Sequence, residues 1–226
     1  MRFKKMEDPW ESISDLMTGL MMVFLFVTMA YIVIQKDMVY RYEQVRSEIY
    51  NELSEEFPQD EIKGMGAHID ASSMAIVFDD KDLCFEKGSA QLTPKYQAML
   101  NNFFPRYIKV LENSKYKDEI SEVLIEGHAS REWNGDANSD VAYFYNMKLS
   151  QDRAMNVLQY TYNIPALQDK KEWLREHVSA TGLSYKKAQD ASGTSDRRVE
   201  FSIRTTSEEL MNQRWRELFG GKKDTE

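Results

Sequence analysis

The chain has 226 residues, a formal net charge of −8 and a mean hydropathy of −0.59, which leaves room for one anchor and a soluble domain. The negative balance argues against nucleic-acid binding, and a single cysteine, Cys84, forbids an internal disulfide, so any exported domain must rely on its packed core. No G-x-x-x-x-G-K-[ST] loop, G-x-S-x-G elbow or H-E-x-x-H pair occurs, so no enzyme chemistry, cofactor or metal is expected.

Arg2, Lys4 and Lys5 precede an apolar run, SISDLMTGLMMVFLFVTMAYIVI, from Ser12 to Ile34. At ~1.5 Å rise per residue it covers ~30 Å of hydrocarbon. Residues 1–11 are therefore read as a cytoplasmic N-terminus and 12–35 as a transmembrane helix. Gln35, Lys36 and Asp37 stand where a signal peptide would carry a small-residue cleavage site, so the helix is read as a retained anchor.

Asp15 is the residue that this run leaves unexplained. An ionised acid within a bilayer costs ~2.5–3.5 kcal/mol on insertion scales, less near a helix end. It reads either as an interfacial or capping acid or as a reversible ion carrier. Pro9 and Trp10 suit the helix entrance and the interfacial belt, which sets Asp15 more than one turn inside. Thr18, Gly19 and Met22 give it a small, adaptable face suited to a protein neighbour. These surroundings favour the ion carrier.

Beyond the run, Met38, Tyr42, Val45, Ile49 and Phe57 recur at helical intervals until Pro58. Segment 36–63 is expected to be a stalk helix and linker whose apolar stripe pairs two chains as a parallel homodimer. From Gly64, AHID and SMAIVF predict a hairpin across Ala71 and Ser72, TPKYQAMLNNFFPRYIKVLE a helix, and SEVLIEGHA a strand. An enlarged loop, REWNGDANSDVAYFY, comes next. LSQDRAMNVLQYTY predicts a helix, and VSATGL and DRRVEFSIR predict strands. Single strands followed by helices predict an α/β fold with a mixed sheet. A last helix, SEELMNQRWRELF, opens segment 206–226 and is expected to dock through Met211, Trp215 and Leu218.

His128 reads as a structural donor beside a strand end, and Cys84 as a small packed residue. Asp136, Asn138 and Asp140 alternate as calcium ligands do, but an EF-hand starting at Asp136 would put Val141 at its glycine position. The loop is read as solvated.

The order FEKGSAQLTP, LIEGHAS, NMKLSQDRA, DRRVEF resembles the OmpA-like peptidoglycan-binding domain over residues 64–205. With DPWESISDLMTGLMMVFLF, the chain resembles MotB-type stator subunits, and most of all the ZorB-type subunits of Zorya anti-phage defence systems. The resemblance implies an inner-membrane, single-pass, proton-driven motor subunit with a periplasmic domain. It further implies a homodimer held within a multi-span MotA/ZorA-like subunit, with Asp15 carrying the ion. On the wall side it implies that Arg153 holds the carboxylate-bearing end of diaminopimelate in the wall peptide, with Tyr145, Asn146 and Leu149 in neighbouring positions and Arg198 in the closing strand. Ser130 stands where the family carries an acid, so Asp136 or Asp140 is expected to substitute, Asp140 being nearer the helix. A passive OmpA-like tether between membrane and wall is the alternative.

Overall fold

The computed structural model describes residues 9–79, 83–113, 115, 118–130, 140–186 and 197–219. The chain divides into two compact units, Met1–Glu43 and Gln44–Glu226. The boundary falls inside the first helix, α1 (Pro9–Glu56).

In the first unit the apolar stretch is helical and none of it is buried, at a mean hydropathy of 2.3 over its most apolar window. Phe24 is 75% exposed, an exposure that water penalises and hydrocarbon does not. Its two threonine hydroxyls are satisfied internally: Thr18 donates to the Ser14 carbonyl (2.8 Å) and Thr28 to that of Phe24 (2.7 Å). That is the arrangement a lipid-facing helix requires.

The second unit holds a five-stranded mixed sheet with helices. After α2 (Gln59–Gly64) come β1 (Ala67–Asp70), β2 (Ala75–Phe78), α3 (Pro94–Leu111), β3 (Ile120–His128) and α4 (Asp140–Tyr162). A 3₁₀ turn (Pro165–Lys170), α5 (Lys171–His177), β4 (Val178–Ser184), β5 (Val199–Thr205) and α6 (Thr206–Phe219) complete the order. The strands lie β1-β2-β5-β3-β4, with only β3 and β4 parallel. A parallel pair needs a crossover, which α4, the 3₁₀ turn and α5 supply.

The core forms where the helix-facing residues of the sheet meet α3. Phe201 of β5 lies 5.4 Å from Phe103 and 5.7 Å from Phe78 between ring centroids, and Phe103 stacks on Tyr107 at 5.3 Å. Thr93 caps α3 by accepting from the Tyr96 N–H (3.1 Å), and Pro94 suits the first helical turn.

The far end of the stripe expected to pair two chains is filled within one chain. Ile49, Leu53 and Phe57 are at most 1% exposed and belong to the domain core, and Phe57 lies 5.2 Å from Phe103. Arg106 of α3 fastens this end of α1: its guanidinium meets Glu56 (2.7 Å) and Glu61 (2.5 Å) and lies over the Phe57 ring. It holds the Glu61 carboxyl below its ordinary range, so this contribution is present at neutral pH and lost as pH falls through that range. Lys115 adds a contact to Glu48 (3.1 Å).

Three smaller corrections concern element ends. The hairpin turn is four residues, 71–74, because Asp70 accepts the Ser72 N–H (2.8 Å) and delays β2 to Ala75. VAYFY, expected in the loop, is helical and opens α4. On α6 the expected docking face is largely open, with Trp215 65% exposed and Met211 half-buried; the Leu218 side chain lies outside the described residues. α6 is held instead by its first turn, where the Thr206 N–H donates to the Glu119 carbonyl (2.9 Å).

Each fully buried side chain of this size contributes about 1.5–3 kcal/mol. A fragment beginning at Gln44 is expected to unfold cooperatively, whereas one beginning at Gly64 loses Ile49, Leu53 and Phe57 and melts at a clearly lower temperature. Equal melting temperatures by circular dichroism would refute this assignment of α1 residues to the domain.

Candidate functional site

Two glycines let α4 lie directly on the sheet. A Cβ at Gly127 of β3 would overlap the Ser150 carbonyl oxygen, and one at Gly182 of β4 would sit 2.6 Å from Gln151 Cα and 2.7 Å from Ser150 Oγ. Neither contact is compatible with a side chain, so these positions are glycine for close backbone approach. The helix is then pinned by side chains: the Ser184 N–H donates to Ser150 Oγ (2.9 Å) and the Gly182 N–H to Gln151 Oε1 (2.7 Å).

This seating buries Asn146, Ser150, Arg153, Ala154 and Val157 along the inner side of α4. Arg153 is 2% exposed, and its Nε donates to the Ser89 carbonyl (3.0 Å), with a longer contact to the Glu86 carbonyl (3.5 Å). Its guanidinium lies 4.9 Å from the Phe85 ring centroid, and Asn156 one turn on donates to the Ala90 carbonyl (2.8 Å). The FEKGSAQLTP stretch is thus a loop that turns its carbonyls toward α4. No ion pair among the described residues involves Arg153. Burial, and then the like charge of Arg197, push its pKa down to about 10, which leaves it charged at neutral pH.

The remaining expected residues separate into those beside Arg153 and those elsewhere. Tyr145 (50% exposed) and Leu149 (half-buried) lie eight and four residues before Arg153, on the same ridge of α4. Asn146 is buried on the inner side. Ser130 is half-buried just past the end of β3. Asp136 lies outside the described residues. Asp140 is an exposed acid in the first turn of α4 rather than a loop residue, where a carboxylate complements the helix dipole.

Arg198 does not join them. Its Nε meets Glu200 Oε1 at 2.5 Å, and Glu200 approaches His128 Nε2 at 3.3 Å, all buried. Glu126, His128 and Glu200 bring ligand atoms within 4.8 Å of one another, a spacing that could hold a metal ion. The Arg198 guanidinium already supplies the positive charge at Glu200 Oε1, so the group reads as an internal ion network. Sequence reasoning missed the carbonyl loop at Glu86–Ser89 and the two seating glycines. The glycines stand in EGH and TGL, where an isolated glycine inside a strand pattern is a legible sign of close approach.

A family model described as the OmpA family matches residues 84–200, just over half of the chain, and the chain belongs to that family. It is 42% identical over 211 residues to the Zorya protein ZorB of Escherichia coli (strain Crooks), covering 88% of each chain. Among solved structures, a MotB-like protein from Desulfovibrio vulgaris is 21% identical, with a TM-score of 0.46 over 71% of this chain and 91% of that one. The cell wall anchor of the T6SS from Pseudomonas aeruginosa is 22% identical, with a TM-score of 0.42 over 66% of this chain and 94% of that one. The fold class expected from the motifs, an apolar N-terminal helix followed by an OmpA-like mixed α/β domain, is the one found.

Arg153→Met keeps bulk while removing a buried charge. It is expected to change domain stability by less than about 1.5 kcal/mol, since lost hydrogen bonds and relieved desolvation oppose each other. Urea denaturation showing a loss of 3 kcal/mol or more, on the order of breaking a buried ion pair, would make Arg153 a structural rather than a ligand-binding residue.

Proposed function

We propose that the chain is the membrane-anchored, wall-binding subunit of an ion-driven motor serving anti-phage defence. The observation that carries the reading is the extent of the likeness to the Zorya protein ZorB. Coverage of 88% exceeds what the unit Gln44–Glu226 alone can supply, so it reaches into the apolar helix. The likeness therefore supports a two-part plan, an apolar helix followed by an OmpA-family domain.

Each part has a chemistry that suits the role. The helix would cross the inner membrane once with its N-terminus in the cytoplasm, and Asp15 would load and unload a proton against a multi-span MotA/ZorA-like subunit. The domain would hold peptidoglycan in the periplasm, with the buried cation Arg153 taking a wall-peptide carboxylate by two parallel hydrogen bonds. Tyr145, Asn146 and Leu149 would shape the same cleft, with Ser130 at its rim and Asp140 as the candidate acid for the peptide's amino group. Two copies would assemble as a homodimer through surfaces other than the buried stripe of Ile49 and Leu53. A passive tether needs the wall site but has no use for an acid in an apolar helix.

Asp15→Asn retains shape and removes the titrating group. The variant is expected to insert and to co-purify with its multi-span partner at wild-type levels, yet to give no protection in a phage plaque assay. Full protection by a normally expressed Asn variant would leave only the tether.

A further inference from the structure

α6 is 14 residues long, and the domain covers little beyond its first turn: Thr206, Ser207, Glu208 and Met211 are half-buried, and the other residues up to Arg216 are exposed. A helix of this length is marginal in water unless a face of it packs. Trp215 lies one turn beyond Met211 on the same face and is largely uncovered. The charges of α6 are separated along its length, with Glu208 and Glu209 in the first turn and Arg214 and Arg216 toward the end. This order suits the helix dipole, yet among the described residues no ion pair involves any of the four. Glu209 and Arg216 share a face but stand two turns apart, roughly 10 Å along the axis, too far to meet within one helix.

We propose that α6 is the surface through which two copies of the chain meet, the two helices lying antiparallel about a twofold axis level with Asn212 and Gln213. This names a surface for the homodimer proposed above and rests on that reading. Antiparallel packing reverses the order of charge, so Glu209 of each copy comes beside Arg216 of the other. The same reversal brings Met211 of one copy onto Trp215 of the other. Both pairings are centred on Asn212 and Gln213, so a single register satisfies the charges and the apolar face together. A twofold contact must be self-complementary, and a helix acidic at one end and basic at the other has that property when turned end for end. An acidic or basic partner, or an anionic membrane surface, would match only one end of it. The exposed charge pairs fix the register, and the packing of Met211 and Trp215 supplies the attraction.

The test is oxidative cross-linking of single cysteines introduced into the full chain in membranes, with the native chain, whose one cysteine is the buried Cys84, as the blank. Asn212→Cys, level with the axis and beside the apolar face, is expected to give a covalent dimer, and Gln213→Cys, on the far side of α6, at least fivefold less. Added to Asn212→Cys, Glu209→Arg or Arg216→Glu sets like charges together and should lower the yield several-fold, and the two changes combined should restore it. A helix-dipole role for these charges makes the opposite prediction, since the combined variant then has both ends wrong. Unchanged yield in the single charge variants, or no recovery in the combined one, overturns the proposal. So does a cross-link to a protein of another mass, which would make the occupant a different partner. Co-purification of two differently tagged copies runs alongside. Copies that co-purify without an Asn212→Cys cross-link overturn the α6 surface and leave the homodimer standing, whereas copies that do not co-purify overturn both.

Discussion

The backbone contact between α4 and the strands β3 and β4 is the constraint on which the site depends. With any side chain at Gly127 or Gly182 the helix would have to lift, because the atoms it would meet are main chain, or held against main chain, and cannot rotate away. Lifting α4 would withdraw Ser150 and Gln151 from the N–H groups of Ser184 and Gly182. It would also draw the Arg153 guanidinium away from the Ser89 carbonyl. One packing distance thus sets the depth of a cation.

That depth has an energetic consequence. A buried guanidinium costs several kcal/mol of lost hydration even after relaxation, and carbonyl dipoles return only part of it. The domain's other buried arginine shows the contrast: Arg198 has a carboxylate at 2.5 Å. Arg106 of α3, which fastens the end of α1, has two, Glu56 and Glu61. Arg153 has carbonyls and an aromatic ring, neither of which neutralises it. A cation kept in this condition suits an anion that the described residues do not provide.

Much of this was legible in the sequence. The strands around VLIEGH and VEFSIR were readable because apolar residues dominate one face, and α3 because Thr93 and Pro94 mark its start before a long helical pattern. The 3₁₀ turn at Pro165 and the short α5 were missed, being too brief for periodicity to register. The fate of the stripe at Val45, Ile49 and Phe57 was not legible either: a helical stripe says that a partner exists and is silent on whether it is another chain or α3 of the same one.

The same test separates functional from structural charge across the whole chain. Lys115 with Glu48, Lys170 with Glu112, Arg204 with Glu122 and Arg198 with Glu200 are pairs closed within the domain, and their charges need nothing further. Asp15 is in none of the ion pairs among the described residues, and it stands in α1, whose most apolar stretch has no buried residue. Moving one charge across ~100 mV is worth ~2.3 kcal/mol, comparable to the ~2.5–3.5 kcal/mol that an ionised acid costs at mid-bilayer, so a partner that alters its solvation can couple one to the other. Arg153 poses the same problem with the opposite sign: a buried charge with no ion pair among the described residues. In both units the residue proposed to carry function is one that no ion pair among the described residues completes.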